Sequence, residues 1–140
     1  MRRNRCAAVL LPGERRVLVV GGWDGATLHA TTGILDIDTM IFAPGPVMSL
    51  GRSTCAVVSL PGSILVVGGY VACAEGKTTE ALSLQTMTFA AGPTMLTARS
   101  GCAALALPQG HSPRRALVVG GHDVPSNQAL ATTEVLTAAD

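Results

Sequence analysis

Three near-identical phrases decide how this chain folds: Val17-Leu18-Val19-Val20-Gly21-Gly22, Ile64-Leu65-Val66-Val67-Gly68-Gly69 and Ala116-Leu117-Val118-Val119-Gly120-Gly121. Four consecutive aliphatic residues, mostly β-branched, read as a strand buried on both faces, and the glycine pair reads as its abrupt end. The surroundings repeat as well. A polar start leads into an apolar strand at Arg3-Asn4-Arg5-Cys6, at Arg52-Ser53-Thr54-Cys55 and at Arg99-Ser100-Gly101-Cys102, and a turn containing proline separates it from the aliphatic phrase. After each glycine pair comes a loop, then a third strand over residues 32–37, 79–84 and 132–137. Met40-Ile41-Phe42-Ala43 and Met87-Thr88-Phe89-Ala90 follow as fourth strands in the first two copies. Gly68, Met87 and Phe89 each stand 47 residues after Gly21, Met40 and Phe42, an offset that chance does not produce three times.

The chain has 140 residues, the size of one ordinary domain. Hydrophobic residues make up 48% and charged residues 14%, against roughly 25% charged in an average domain. That balance predicts surface covered by more protein, either further chain or a partner. A net charge of +1, with arginine clusters only at Arg2-Arg3-Asn4-Arg5 and Arg114-Arg115, gives no footprint for nucleic acid. Cys6-Ala7-Ala8-Val9-Leu10-Leu11 is cut short by Pro12-Gly13, which excludes it as a secretory signal. The uncharged stretch 53–74 is divided by Pro61-Gly62 and Gly68-Gly69 into strand-length pieces, so it predicts buried strands and no membrane span.

A strand-and-glycine unit returning at a fixed period is the signature of a β-propeller or a related repeat array. The units resemble kelch repeats. The resemblance rests on the Gly-Gly pairs of all three copies, on Leu35-Asp36, Leu82-Ser83 and Leu136-Thr137 where the family carries a Tyr-Asp-like pair, and on Phe42 and Phe89 where it carries a tryptophan. It implies an all-β fold: a partial kelch-type β-propeller in a single domain, with three antiparallel blades of about four strands each. Blade one spans residues 1–48, blade two 49–96 and blade three 97–140, the last lacking its fourth strand. Such a sheet is apolar on both faces and needs a neighbour on either side, and rings close at typically four to eight blades. Three blades are therefore expected to stay open unless further blades or a partner complete them, and a two-fold homodimer giving six blades is the favoured form.

Cys6, Cys55 and Cys102 hold one equivalent position in three units, and Cys73 stands apart. Equivalent positions of neighbouring sheets lie roughly 10 Å apart, too far for a disulfide, so these thiols are expected as small buried apolar filler. Reduced thiols fit a cytoplasmic location, with a secreted one as the alternative should the chain be a piece of a longer protein.

In kelch domains the binding surface lies among residues just before each inner strand and just after each Gly-Gly. The resemblance maps the first group onto Asn4, Arg5, Ser53, Thr54 and Ser100, and the second onto Trp23, Tyr70 and His122. Of these, Arg5, Trp23, Ser53, Tyr70, Ser100 and His122 are the candidate partner-binding residues. They sit at strand ends, where loops carry recognition on a rigid scaffold, and Tyr, Trp and Arg are the types enriched in binding hot spots. Each has a structural counterpart role: the aromatics can roof neighbouring loops, and the serines can bridge adjacent strands. Arg52 and Arg99 are expected to make structural hydrogen bonds between blades.

Catalysis finds little footing. His29, His111 and His122 fall in different loops, and no nucleophile elbow, HExxH or phosphate loop is present. His122-Asp123 reads as turn chemistry. Kelch-like propellers do occur in a copper radical oxidase, but that chemistry gathers tyrosines and histidines, and this chain has one tyrosine. The expected function is a non-catalytic module binding a peptide or protein through loops at one end of the blades, with no cofactor or metal. The alternative is an inactive fragment of a larger secreted or enzymatic propeller of the kelch or galactose-oxidase-like kind.

Overall fold

The computed structural model describes residues 2–72, 76–108 and 114–138. Cys73 and the Gly110-His111-Ser112-Pro113 turn lie outside the described residues. Every regular element among the described residues is a β-strand. Strands β1 (Ala7–Leu10), β2 (Arg16–Val20), β3 (Thr32–Asp36) and β4 (Ile41–Pro44) form an antiparallel four-stranded meander. The next segment opens with the two-residue β5 (Arg52–Ser53) and runs through β6 (Ala56–Leu60) and β7 (Ser63–Val67). Beyond β7 it extends the same hairpin with β8 (Tyr70–Val71) paired to β5, then continues through β9 (Thr79–Ser83) and β10 (Thr88–Ala91). Strands β6, β7, β9 and β10 make the second four-stranded sheet. The last segment holds β11 (Ala103–Ala106), β12 (Arg114–Val119), the short hairpin β13 (His122–Asp123) and β14 (Gln128–Ala129), and β15 (Thr133–Ala138). Strands β11, β12 and β15 form a three-stranded sheet whose outer strand, β15, has no described partner on its far side.

The register is the same in all three sheets: Ala7 faces Val20, Ala56 faces Val67 and Ala103 faces Val119. Because side chains alternate along a strand, a shared register gives each sheet the same two faces. The second sheet uses both. Ala56, Val58, Leu65 and Val67 pack with Ala116, Val118 and Leu136 of the third sheet. On the opposite face Cys55, Ile64, Val66 and Leu82 pack with Leu11, Leu18 and Val20 of the first. The middle sheet is thus covered on both sides, and all five residues of β7 are buried.

The other two aliphatic phrases depart from the expectation of burial on both faces. In β2 only Leu18 and Val20 are fully buried, and in β12 only Ala116 and Val118. The first and third sheets have one covered face each, so their alternate residues meet water. The same cause corrects the reading of the cysteines: Cys55 is buried, Cys102 half-buried and Cys6 exposed, and all three are free thiols. Met40 and Met87 do not open the fourth strands. Both adopt positive φ, 56° and 55°, and their amides close tight turns onto the carbonyls of Asp36 and Ser83 at 2.8 Å.

Arg52 and Arg99 are fully buried. The Arg52 guanidinium donates to the carbonyls of Gly68 (2.8 Å) and Thr78 (3.1 Å) and to Glu80 Oε1 (2.9 Å). Arg99 does the same with Gly120, Thr132 and Glu134. Glu80 in turn accepts the Ser49 amide, and Glu134 the Leu96 amide, each at 2.7 Å. These side chains therefore tie the incoming linker to the third strand of their own repeat, where bonds between blades were expected. The arginine backbone makes the crossing instead: Gly22 N–H donates to the Arg52 carbonyl (2.8 Å) and Gly69 N–H to the Arg99 carbonyl (2.7 Å).

Candidate functional site

The glycine pairs interrupt the hairpin ladder at one end of every sheet without reversing the chain. Gly21 and Gly22 have φ of 63° and 101°, a conformation that a residue with a Cβ adopts poorly. Beyond each pair the ladder resumes in the same register, which sets the residue after the pair opposite the residue that precedes the inner strand. Asn4 and Trp23 exchange two backbone hydrogen bonds at 2.9 Å, Ser100 and His122 exchange two at 2.9 and 2.8 Å, and Ser53 pairs with Tyr70 between β5 and β8. Residues taken from two separate stretches of the sequence thus meet as three equivalent pairs.

Five of the six candidate residues line one cleft of about 370 Å³: Arg5, Trp23, Ser53, Tyr70 and Ser100, together with Leu28 and Thr54. Arg5 lies over the Trp23 ring, its guanidinium carbon 5.9 Å from the ring centroid, within cation–π range. Tyr70 is 55% exposed, while Ser53 is 3% exposed and contributes mainly as a wall. His122 bonds to Ser100 through the backbone and does not line the cleft. Arg5 is the one charged side chain among the described lining residues.

Leu28 went unseen in the sequence. It bridges Trp23 across a tight loop in which Asp24 Oδ1 accepts the amides of Ala26 (2.9 Å) and Thr27 (2.8 Å). Those amides, first Ala26 and then Thr27, hold the Asp24 carboxyl below its ordinary range. The signal was the Asp24-Gly25 turn, which brings the residues flanking it together. Thr54 carries a different mark: its φ is 52°, as is that of Arg5, and Gly101 occupies the equivalent place with 64°. A β-branched residue held there is a strained one, and it sits in the cleft wall.

A second cleft, of about 630 Å³, runs along the open edge of β15, between Thr137 and Ala138 and the residues Ala81, Ser83, Thr88 and Ala90 of the second sheet. Its walls are small and mostly neutral. Asp123 sits in a turn closed by the Asn127 amide on its carbonyl at 2.8 Å. Among the described residues no three of His, Cys, Asp and Glu are grouped to hold a metal ion, and no helix is long and apolar enough to cross a membrane.

No protein-family model matches the chain, and comparison with curated proteins gives no match.

Proposed function

We propose that the chain is a kelch-type propeller segment acting as a non-catalytic interaction module, and that it holds an extended peptide of a protein partner in the Arg5–Trp23–Tyr70 cleft. The observation that carries the reading is the gathering of Arg5, Trp23 and Tyr70, distant in sequence, around one cleft at the end of the sheets. Trp and Tyr offer large rigid contact area with little rotamer entropy to lose, and Arg supplies a directional charge. With Arg5 the charge that the described lining presents, a carboxylate-bearing peptide with one bulky apolar side chain suits the cleft. The carboxylate would sit on Arg5, and the apolar group between Trp23 and Leu28.

The test is selection of displayed random peptides on the 140-residue chain, with affinities read from the fluorescence of Trp23, the only tryptophan. Selected sequences rich in Asp or Glu beside an aromatic or aliphatic residue are expected. Tyr70→Ala and Arg5→Ala should each weaken binding about tenfold or more, the scale of a hot-spot contact, with melting temperature nearly unchanged. Peptides that bind both variants as they bind the parent would place the site elsewhere.

A further inference from the structure

The third sheet ends in a surface that the first two sheets use to receive a neighbour. In both internal junctions the first glycine of the pair makes room for an arginine carbonyl of the following repeat. A Cβ on Gly21 would strike the Arg52 carbonyl oxygen, and one on Gly68 the Arg99 carbonyl oxygen. The second glycine donates its amide to that same carbonyl. At Gly120 no described residue takes that place, the nearest described atom to an added Cβ being the Leu130 carbonyl oxygen at 3.5 Å. Gly120 nonetheless keeps φ at 62°, and Gly121 keeps 92° with its Cβ position wedged against Ser100 and Cys102, as in the other two copies. A second backbone contact steps along with the first: Thr54 N–H donates to the Arg5 carbonyl, and Gly101 N–H to the Thr54 carbonyl, both at 2.8 Å.

The sheet faces repeat the same relation. Cross-strand pairs Ala56–Val67 and Val58–Leu65 form the face on which the third sheet packs. Their counterparts Ala103–Val119 and Leu105–Leu117 form the outer face of the third sheet, where Leu105 is 47% and Val119 38% exposed. At the other end, Ala8–Val19 and Leu10–Val17 form the outer face of the first sheet, with Leu10 54% exposed. That face matches the one by which the second sheet packs on the first. Each exposed face is thus a copy of one half of a contact the chain already makes internally.

We propose that a second copy of this chain docks head-to-tail, the outer face of its first sheet on the outer face of the third. Its Arg3 carbonyl enters the space at Gly120 and accepts the Gly121 amide, and its Arg5 amide donates to the Gly101 carbonyl. The contact is heterologous, one kind of surface on another, so every copy carries both halves. The inference concerns the sheet faces and stands whether or not the loop cleft binds a peptide.

Light scattering on the purified 140-residue chain tests it. The expected mass is a multiple of the 14.3 kDa chain mass; a single-chain mass at every concentration overturns the proposal and leaves the face to another protein or to further chain. Leu10→Glu and Leu105→Glu should each give the single-chain mass alone, while their equimolar mixture recovers a two-chain species through the one contact left intact. A mixture that stays at the single-chain mass, or a Leu10→Glu variant that assembles like the parent, also overturns it. Gly120→Asn keeps the test open should the face variants fail to fold. Asparagine tolerates positive φ, so the fold is expected to persist by circular dichroism while its Cβ blocks the incoming carbonyl and assembly is lost. Retained assembly in that variant refutes the docking geometry.

Discussion

Arg52 and Glu80 form an ion pair of 2.9 Å whose side chains are 0% and 4% exposed, and the pair holds together three stretches of backbone. Arginine satisfies carbonyls at the end of β7 and before β9, and the carboxylate satisfies amides in the linker from the first sheet. Deleting the carboxylate leaves a buried guanidinium uncompensated and two linker amides short of an acceptor. Glu80→Ala is therefore expected to cost about 3–5 kcal/mol, the range for removing one member of a buried pair. Urea unfolding followed by circular dichroism measures it, and a loss of under about 1 kcal/mol, the surface-pair range, would mean that water reaches the site.

Gly68 and Gly13 separate two costs that a glycine substitution usually mixes. Both have positive φ, 59° and 74°. Around Gly13 an added Cβ meets nothing within 4 Å among the described residues, while at Gly68 it meets the Arg99 carbonyl oxygen and, at 2.9 Å, the Met95 methyl. Gly13→Ala should cost about 1–2 kcal/mol, the price of the left-handed conformation alone. Gly68→Ala adds a backbone clash at the junction with the third sheet and should lose at least about 3 kcal/mol in the same assay. Equal losses would show that the junction yields without strain.

The strands and the three-fold repetition were legible because hydrophobic period and glycine placement are local properties of the sequence. Which strands are buried on both faces was not. Val66 and Val19 stand in the same phrase at the same register, yet Val66 is fully buried and Val19 half-buried, because burial depends on a neighbouring sheet. The turn roles of Met40 and Met87 were hidden for another reason. Methionine carries no preference for positive φ, and the turn is set instead by acceptors three or four residues earlier, Asp36 and Ser83. The cleft residues could be picked from strand ends, but Leu28 needed the Asp24 loop, whose closure rests on side-chain-to-backbone bonds.

Acid should loosen the tie between β15 and the linker that enters the third repeat. Burial pushes the Glu134 carboxyl upward, but the Leu96 amide, the Arg99 guanidinium and the Thr97 amide together hold it below the ordinary glutamate value of 4.5. A carboxyl depressed in the folded chain binds its proton more readily when unfolded, so its stabilising effect is complete above about pH 4.5 and is lost as pH falls further. Asp24 and Asp36, each accepting turn amides, shift in the same direction. Melting temperature should fall progressively below that pH, and Glu134→Gln should start lower and fall less steeply. A variant with an unchanged acid slope would assign the loss to the turn carboxylates.

The equivalent cysteines should react in an order set by which sheet covers them. Burial raises the Cys55 thiol to about 11 against the nearby positive Arg52, and burial also raises Cys102, whereas Cys6 lies exposed on the outer face of the first sheet. The thiolate is the attacking species, so at pH 8 a thiol with a pKa near 11 has roughly a hundredth of the thiolate of one near 9. Alkylation with iodoacetamide, read residue by residue by peptide mapping, should modify Cys6 first, Cys102 next and Cys55 last. Docking of a second copy on the first sheet would bury Cys6 as Cys55 is buried now, so its alkylation should slow as protein concentration rises while Cys55 stays slow throughout. A Cys6 rate independent of concentration would leave that face bare, and a Cys55 rate equal to that of Cys6 would mean that the first two sheets separate readily in solution.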